Sequence, residues 1–483
     1  MAAPRRSNLR SLTVLTLALI PLACQGLDAP GRPSGRAGPP NVLVIFTDDQ
    51  GYGDVGAYGA RGFATPNIDR IARQGVRFTD FYVSQPVCSA SRASLLTGCY
   101  ANRVGIHGAL GPKAKHGLHP DELTLAEVCK RRGYATAAYG KWHLGHLPQF
   151  LPTRHGFDEF YGIPYSNDMG PGHAENPDAW PPLPTFEGEQ VVGLNTDQSR
   201  FTQDFTERAV RFIEGSAKRG VPFFVYLAHP MPHVPLAASP AFRDRTEQGL
   251  YGDVIAEIDD GVGRLLETLA RLGLSRDTLV VYASDNGPWL NYGNHAGSTG
   301  PLREGKGTTF EGGVRVPCVM RWLGQIPAGS VCREPVMTID LLPTVARLLD
   351  VDLPNVIDGH DIWPLLRGDP RARSPHEALF FYYHNNHLEA MRSDRWKLHF
   401  PHGYRSMVGQ TPGREGAAGP YDWQAKTELA LFDLAADLGE EHNVAARRPD
   451  VVRRLELLAE KQRQRLGDEL QKVEGTENRA PGR

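Results

Sequence analysis

The stretch Asn41-Val-Leu-Val-Ile-Phe46, followed closely by Asp48 and Asp49, indicates the class of fold. Its apolar residues run without a polar interruption, which is typical of a strand that is buried on both faces of a parallel sheet. Pro222-Phe-Phe-Val-Tyr-Leu227 and Thr278-Leu-Val-Val-Tyr-Ala283 have the same pattern. We therefore predict that these segments are strands of one buried sheet.

Helical segments alternate with these strands. Residues 67–75 and 121–132 have the pattern of short helices that are stopped by glycine, and a short strand is predicted over Tyr134–Tyr139. Apolar residues also recur at helical spacing between Ile255 and Leu269. This alternation predicts an α/β fold with a large mixed, mostly parallel sheet that is flanked by helices.

The pattern changes after about residue 370. Short strands are predicted within 378–400 and 429–433, with glycine-rich loops between them, and a charged helix is predicted over 449–470. We therefore expect a large domain over residues 41–370 and a smaller C-terminal α+β domain over residues 371–483.

The composition excludes several classes of protein. Apolar residues make up 41% of the chain and charged residues 22%, so wholesale disorder and fibrous structure are excluded. There are 53 Lys and Arg residues and 55 Asp and Glu residues. Because these charges nearly cancel, a broad nucleic-acid-binding surface is not expected, and we predict no nucleic-acid partner.

An export signal is predicted over residues 1–24. The arginines of Arg5–Arg10 precede the apolar run Leu12–Leu22, which is too short to span a bilayer as a helix. The run ends before Cys24, and both lipidation of Cys24 as a bacterial lipoprotein and ordinary signal cleavage remain open. With 25–40 as a linker, we expect a bacterial periplasmic protein, outer-membrane lipoprotein or secreted protein that contacts a membrane only through such an anchor.

Polar side chains follow two of the predicted buried strands. Asp48 and Asp49 follow the first of them, and Asp285 and Asn286 follow the strand that begins at Thr278. Ligands of open α/β sheets bind beyond the carboxyl ends of the strands, and oxygen-bearing side chains suit a hard cation such as Ca²⁺ or Mg²⁺. The alternative is that Asp48 and Asn286 only cap turns or helices.

The chain has six cysteines and no Cys-x-x-Cys pair, so a zinc site of the usual spacing is not predicted. In an oxidising compartment, a disulfide between Cys318 and Cys332 is one alternative and two free thiols are the other. The sequence also leaves open whether Cys99 and Cys129 form disulfides.

One further segment carries the most specific motif of the chain. Cys88-Ser-Ala-Ser-Arg-Ala-Ser-Leu-Leu-Thr-Gly98 resembles the signature of the sulfatases, C-x-[AP]-S-R followed by L-x-T-G. Other family motifs follow in family order: Gly140-Lys-Trp-His-Leu-Gly145, Pro152 to Gly162, Gly305 to Pro317, and Leu431-Phe-Asp-Leu434 with Gly439-Glu440 and Asn443. Gly162-Ile-Pro-Tyr-Ser166 and Phe380-Phe-Tyr-Tyr383 are most similar to the arylsulfatase A and N-acetylgalactosamine-6-sulfatase branch. The resemblance implies the fold of the alkaline phosphatase superfamily.

The resemblance also implies a covalent mechanism at Cys88. In this family a formylglycine-generating enzyme oxidises the cysteine to an aldehyde during export. The aldehyde hydrates to a geminal diol, of which one hydroxyl attacks sulfur while the other later expels sulfate. The resemblance implies one calcium ion, rather than Mg²⁺, and a ligand set formed by Asp48, Asp49, Asp285, Asn286 and the group derived from Cys88.

Roles at the reacting centre follow from the same resemblance. Asp285 matches the residue that helps to deprotonate the diol. Arg92 matches the arginine that holds the diol and bridges to the metal site. His143 matches the histidine that acts as a base for sulfate release.

The substrate side is assigned in the same way. Lys141, Lys306 and His233 match the residues that bind sulfate and assist the leaving group. The family histidine lies two residues before a proline, which favours His233 over His229. Ser166 resembles a substrate-side serine of the arylsulfatase A branch.

Tyr382, Tyr383, His384 and His387 either line the substrate rim or belong to an ordinary strand and loop. The sequence thus predicts an exported, calcium-dependent sulfatase that acts on sulfated saccharides or aryl sulfates. A phosphonate or phosphate monoester hydrolase of the same superfamily is the alternative enzyme. Phosphatases of this fold usually hold two metal ions, whereas here Lys141 and Lys306 occupy the side of the second ion, which favours a sulfatase. A non-catalytic sulfated-glycan-binding protein is a further alternative, against which the intact reacting residues argue.

Overall fold

Residues 1–2, 39–171 and 179–483 are described in the computed structural model of the chain. Nearly all of the predicted export signal, including Cys24, and nearly all of the predicted linker lie outside the described residues. The strands and helices belong to the unit formed by Pro39–Arg483.

The strands of the described residues are as follows, in chain order. They are β1 (Asn41–Thr47), β2 (Val76–Phe78), β3 (Phe81–Tyr82), β4 (Ala135–Lys141), β5 (Glu159–Ile163), β6 (Pro184–Glu187), β7 (Gln190–Leu194), β8 (Phe223–Ala228), β9 (Thr278–Ser284), β10 (Cys318–Arg321), β11 (Ser330–Cys332), β12 (Val336–Met337), β13 (Leu379–Tyr383), β14 (His387–Ser393), β15 (Trp396–His399), β16 (His402–Gly403), β17 (Lys426–Thr427) and β18 (Ala430–Asp433).

The α-helices of the same residues surround these strands. They are α1 (Pro66–Arg73), α2 (Cys88–Thr97), α3 (Leu125–Lys130), α4 (Phe201–Arg219), α5 (Gly249–Arg271), α6 (Glu311–Val314), α7 (Leu341–Leu348), α8 (Trp363–Leu366) and α9 (Pro449–Leu466). Among the helices in the described part of the chain, none has both the length and the apolar composition that crossing a bilayer requires.

Ten strands form the large sheet, in the order β11-β2-β10-β9-β1-β8-β4-β5-β6-β7. The five central strands, from β9 to β5, are all parallel, whereas β10, β6 and β7 pair with antiparallel neighbours. The predicted mixed and mostly parallel sheet is confirmed. β1 pairs with β9 from Asn41 opposite Thr278 to Thr47 opposite Ser284, so the residues after both strands emerge at the same edge.

The sheet is buried on both faces, as the uninterrupted apolar runs predict. Val42, Val44 and Phe46 of β1 belong to one hydrophobic core, and Leu43 and Ile45 belong to another. Side chains of α2, α3 and α7 contribute to the first core, and side chains of α4 and α5 contribute to the second. Alternate residues of one strand therefore face different helical layers.

The C-terminal part contains a four-stranded antiparallel sheet in the order β13-β14-β15-β18. Phe381 and Leu398 of this sheet, and Leu455 of α9, belong to the same hydrophobic core as Val44. The small sheet therefore packs against one side of the large one through a continuous apolar cluster. The division of the chain at residues 370 and 371 stays a prediction.

Two predicted helices are shorter in the structure, one limited by a side-chain cap at its start and the other by a glycine at its end. The helix predicted over 121–132 is limited to Leu125–Lys130. Thr124 accepts a hydrogen bond from the Glu127 amide, and the Glu127 carboxylate accepts one from the Thr124 amide. This capping box defines the start of the helix. The terminal helix ends at Leu466, before the positive φ of 79° at Gly467.

The five described cysteines, including Cys318 and Cys332, are free thiols. Cys318 of β10 and Cys332 of β11 both pair with Phe78, from opposite sides of β2. Two strand spacings separate them, or about 9.6 Å, which exceeds the roughly 7 Å that a disulfide can bridge between Cα atoms. The optional Cys318–Cys332 disulfide is therefore not formed.

Candidate active site

Cys88 is the first residue of α2, and it lies directly behind the ends of the central strands. Its thiol is buried and donates a hydrogen bond of 3.4 Å to Asp48 Oδ1. Burial raises the pKa of the Cys88 thiol, and the Asp48 carboxylate raises it further. The unmodified cysteine is therefore a protonated thiol at neutral pH. The free amides of the helix N-terminus favour an anion at this position.

The four polar residues at the strand ends come together as predicted. The Asp49 amide donates to Asp285 Oδ1 at 3.1 Å, and Asn286 Nδ2 donates to Asp49 Oδ1 at 2.6 Å. Asp48 and Asp285 are fully buried. Asp49 has a φ of 63°, a left-handed conformation that an aspartate tolerates better than most residues. The parallel register of β1 and β9 brings these groups together.

Arg92 connects the helix to these carboxylates. It lies one turn beyond Cys88 on α2, and its Nε and Nη2 donate to Asp285 Oδ2 at 3.0 and 2.8 Å. Nη2 also lies 3.4 Å from Asp48 Oδ2, and Nη1 donates to the Lys141 carbonyl at 3.0 Å. Its guanidinium is therefore held in one orientation behind the strand ends.

Lys141 ends β4, and its ammonium group contacts the same Asp48 oxygen as Arg92. Its ammonium group forms a short ion pair with Asp48 Oδ2 and donates to Ser166 Oγ at 3.0 Å. Burial by itself lowers the pKa of Lys141, but Asp48 and the other acidic neighbours together outweigh burial, and the net pKa is raised. Lys141 is therefore a buried cation, and Ser166 lies within its reach.

Lys306 and His233 lie beside Asp49. Lys306 Nζ donates to Asp49 Oδ2 at 2.8 Å, and His233 Nε2 lies 3.6 Å from the same oxygen. The Lys306 ammonium also lies 4.5 Å from the centre of the Trp289 ring, which is 5.4 Å from the His233 ring. His229 is buried as well, and its Nδ1 has no hydrogen-bond partner among the described residues.

His143 follows β4 in a left-handed conformation with a φ of 63°. It is fully buried, and neither ring nitrogen has a hydrogen-bond partner among the described residues. Burial holds its pKa well below the usual range, and the cations Lys141 and Arg92 lower it further. Its imidazole is therefore neutral and has a free lone pair at neutral pH.

The charges of the centre are closely balanced. Burial by itself raises the pKa of Asp48, but Lys141, His233 and Arg92 outweigh it and the net pKa is well below the usual range. Burial and the neighbouring Asp48 carboxylate raise the pKa of Asp285 to about 7. Three carboxylates thus face three cationic side chains, and Asp285 remains incompletely compensated.

The donor set fits a hard cation. Asn286 Oδ1 is buried and has no hydrogen-bond partner among the described residues. Ligand atoms of Asp48, Asp49, Cys88 and His233 all lie within 4.8 Å of one another. Ca²⁺ prefers carboxylate and amide oxygens as ligands, and Asp285 and Asn286 offer such oxygens beside Asp49. Asp48, Asp49, Asp285 and Asn286 are therefore suited to hold it.

A cavity of about 520 Å³ lies next to this centre. Its lining includes Asn167, which follows Ser166, and Val234 and Pro235, which follow His233. Asn167 Nδ2 donates to the carbonyl of His233 at 3.5 Å and to that of Pro235 at 3.4 Å. The cavity therefore begins where the predicted substrate-side residues end, and its size suits a small organic group.

Three residues of this region were not predicted: Trp289, Arg405 and Asn167. Arg405 donates through Nε and Nη2 to the Lys306 carbonyl at 3.0 and 2.6 Å. Trp289 follows Asn286 closely at the same strand end, and Asn167 directly follows Ser166, so both had a positional signal. Arg405 had none, because it comes from the C-terminal part of the chain.

Comparisons with known proteins agree with this geometry. The family model described as Sulfatase matches residues 40–351, and the model described as the C-terminal region of aryl-sulfatase matches residues 374–480. Arylsulfatase A of Bos taurus is 40% identical over 93% of this chain and 91% of that protein. N-acetylgalactosamine-6-sulfatase of Sus scrofa is 37% identical over 87% of this chain and 84% of that protein. The crystal structure of PsFucS1 sulfatase from Pseudoalteromonas sp. has a TM-score of 0.75 and 30% identity, and the match covers 84% of this chain and 86% of that one.

Proposed function

The chain belongs to the sulfatase family and is a sulfuric ester hydrolase, and on this premise we propose a formylglycine mechanism that uses Cys88 and one calcium ion. The observation that carries the proposal is the position of Cys88. It lies at the N-terminus of α2, hydrogen-bonded to Asp48 and surrounded by the polar strand ends. The substrates are sulfate monoesters of sugars or aryl alcohols.

The protonation state of Cys88 favours modification over thiolate chemistry. A nucleophilic cysteine needs a lowered pKa, whereas burial and Asp48 raise the pKa of this thiol. A formylglycine-generating enzyme would convert the residue during export. One hydroxyl of the hydrated aldehyde loses its proton and bonds to sulfur, while the bond between sulfur and the alcohol oxygen breaks and the alcohol leaves. Deprotonation of the second hydroxyl then re-forms the aldehyde as the bond from its carbon to the sulfate oxygen breaks and sulfate is released.

Asp48, Asp49, Asp285 and Asn286 would hold the calcium ion. Once bound, Ca²⁺ supplies positive charge that stabilises the sulfate oxygens and the developing anion. The side chains of the centre contribute three carboxylates and three cations, so their own charges offset one another. The net attraction for an anionic ester therefore depends on the ion.

Arg92 and His143 act on the group at position 88. Arg92 is held between Asp285 and Asp48, so it orients the hydroxyl groups without changing its own charge. His143 is neutral because burial lowers its pKa. It is therefore ready to accept the proton whose removal leads to sulfate release.

The two lysines have different tasks. Lys141, paired with Asp48 and Ser166, binds the sulfate oxygens. Lys306 lies beside Asp49, His233 and Trp289, and with His233 it stabilises the departing alkoxide. By the family resemblance, the two lysines occupy the side where phosphatases of this fold hold a second metal ion, which favours sulfate over phosphate esters.

The adjoining cavity accommodates the alcohol part of the substrate. Its described lining includes the carboxylates Asp168 and Glu415 and contains no lysine or arginine. A second sulfate or a uronate would be repelled there, whereas hydroxyl groups would find hydrogen-bond partners. The cavity therefore favours an uncharged sugar or aryl group.

We also propose that the protein is exported, with residues 1–24 as its signal.

Sulfate release from 4-nitrophenyl sulfate tests the proposal. The protein is produced with and without a formylglycine-generating enzyme, so that the two preparations share one sequence and differ only at position 88. We expect activity only in the modified protein, and a much lower rate on 4-nitrophenyl phosphate. Full activity of the unmodified protein would exclude the mechanism. A panel of monosulfated and disulfated saccharides then identifies the substrate class.

A further inference from the structure

A second group of metal-ligating side chains lies at the turn between β13 and β14, outside the catalytic centre. The group consists of His384, His387 and Glu389, and we call it the hairpin histidine cluster. Their ligand atoms all lie within 4.8 Å of one another. The rings of His384 and His387 are 5.3 Å apart, and His384 has a φ of 51°. The turn therefore presents two imidazoles beside one carboxylate.

The carboxylate of this cluster is buried and incompletely satisfied. Glu389 is 1% exposed, and its Oε1 has no hydrogen-bond partner among the described residues. That oxygen lies 4.0 Å from His384 Nε2. The other oxygen accepts a hydrogen bond of 3.1 Å from Thr309 Oγ1. Within the described part of the chain, no lysine or arginine forms an ion pair with Glu389.

His402 lies beside Glu389 but adds no positive charge when its ring is neutral. Its Nδ1 donates to the Phe400 carbonyl at 2.7 Å, so its Nε2 carries a lone pair when the ring is neutral. That nitrogen lies 3.5 Å from Glu389 Oε2 and has no hydrogen-bond partner among the described residues. Two electron-rich atoms thus face each other in a buried site, an arrangement that costs free energy unless a cation or a proton intervenes.

We propose that the hairpin histidine cluster binds a divalent transition-metal ion of the Zn²⁺ class through His384, His387 and Glu389 Oε1. Two imidazoles and a carboxylate suit Zn²⁺, whereas Ca²⁺ prefers oxygen ligands alone. This donor set therefore differs from the oxygen-rich set at the strand ends.

The required movement is small. For three atoms at most 4.8 Å apart, there is a position within about 2.8 Å of all three, against the roughly 2.0–2.2 Å of zinc–nitrogen and zinc–oxygen bonds. His384 is exposed and His387 is half-buried, so their rings have room to rotate inward. Because Thr309 donates a hydrogen bond to Glu389, the bound ion would also restrict the movement of the segment that follows Lys306.

Zinc titration of the untagged, calcium-loaded protein tests this site. Isothermal titration calorimetry should detect one Zn²⁺ per chain at micromolar concentration, and Zn²⁺ should raise the Tm. A His384→Ala/His387→Ala double variant should lose at least 100-fold in affinity and the Tm increase. His442→Ala is the matched control, because His442 is an exposed histidine beside Asp437 and outside the cluster.

Three outcomes would overturn the inference. One is the absence of stoichiometric zinc binding to the wild-type protein, which would mean that a proton shared by Glu389 and His402 satisfies the site. Another is equal affinity of the double variant, which would place the ion elsewhere. The third is retention of binding by Glu389→Gln, a variant that removes the charge and keeps the shape. The hydrolysis of 4-nitrophenyl sulfate is measured in parallel, so that the failure of this site is distinguishable from a failure of the proposed mechanism.

Discussion

Replacing Lys306 by alanine should slow the hydrolysis of a sugar sulfate much more than that of 4-nitrophenyl sulfate. Lys306 is a cation in the folded protein: burial by itself lowers its pKa, but Asp49 and the other acidic neighbours together outweigh burial, and the net pKa is raised. A sugar alkoxide is a strongly basic leaving group that needs this charge or a proton. Nitrophenolate spreads its own charge and needs less help.

The magnitude follows from the geometry of the ammonium group. A unit charge about 3 Å from a developing alkoxide is worth at most about 5.5 kcal/mol at an effective dielectric constant of about 20. Losses on removing one preorganised donor are usually about 10²–10³-fold. We therefore expect kcat/KM to fall by about 10²–10³-fold on the sugar sulfate and by about tenfold or less on 4-nitrophenyl sulfate.

Lys141→Ala is the matched control for this experiment. Both lysines are buried and pair with an aspartate of the strand ends, so either substitution leaves one carboxylate without its partner. Lys141 is proposed to bind the sulfate group, which both substrates share. Its loss should therefore reduce kcat/KM by similar factors on the two substrates.

The assay compares kcat/KM for both substrates in the wild type and both variants. Calcium content, formylglycine content and Tm are determined for each protein, because an unpaired Asp49 could alter folding or metal binding. Equal fractional losses on the two substrates for Lys306→Ala would refute the leaving-group role and make Lys306 an anion-binding residue only.

The other predictions concern the modification, the metal and the core. Tryptic mass spectrometry should show the Cys88 peptide lighter by about 18 Da, the mass change from thiol to aldehyde, and an active preparation with only cysteine there would contradict it. Asp49→Ala should lose calcium and activity together, by elemental analysis and sulfate release, and full activity after complete chelation would argue against the ion. Lys397→Met should lower the free energy of unfolding, measured by urea denaturation, by about 3–5 kcal/mol at neutral pH. The reason is that Lys397 Nζ is buried 2.8 Å from Glu311. The control Lys426→Met, on an exposed strand, should change the free energy of unfolding little. Burial by itself raises the pKa of Glu311, but Lys397, Arg315 and Arg392 together outweigh burial and lower the pKa to about 2. The stabilisation by Lys397 should therefore be full above pH 4.5, the usual pKa of Glu311, and disappear as the pH falls towards 2.

Much of the large sheet was predictable because its signal is local. β1, β8 and β9 are uninterrupted apolar runs, and a strand that is buried on both faces has no polar face to show. The small C-terminal strands were predicted only as a group, because buried polar residues such as Glu389, Arg392 and Lys397 interrupt their apolar pattern. The short α3 helix differs from its prediction because the contact between Thr124 and Glu127 decides where it begins.

The candidate centre was predictable to the extent that its residues belong to motifs. Asp48, Asp49, Asp285 and Asn286 follow buried strands, and a parallel register is enough to bring them together. Arg405 was not predictable in this way. It contacts the Lys306 carbonyl, 99 residues away in the sequence, and no local sequence pattern predicts a contact between residues that far apart.

The sequence by itself therefore determined the parallel sheet, the acidic strand ends and the residues that form the family motifs, because burial and motif spacing are properties of neighbouring residues. Only the tertiary structure decided that Cys318 and Cys332 lie on opposite sides of β2, and that Glu389 meets Thr309 and His402 in a buried site. The physical reason is that sheet order and side-chain contacts between distant segments depend on how the whole chain packs.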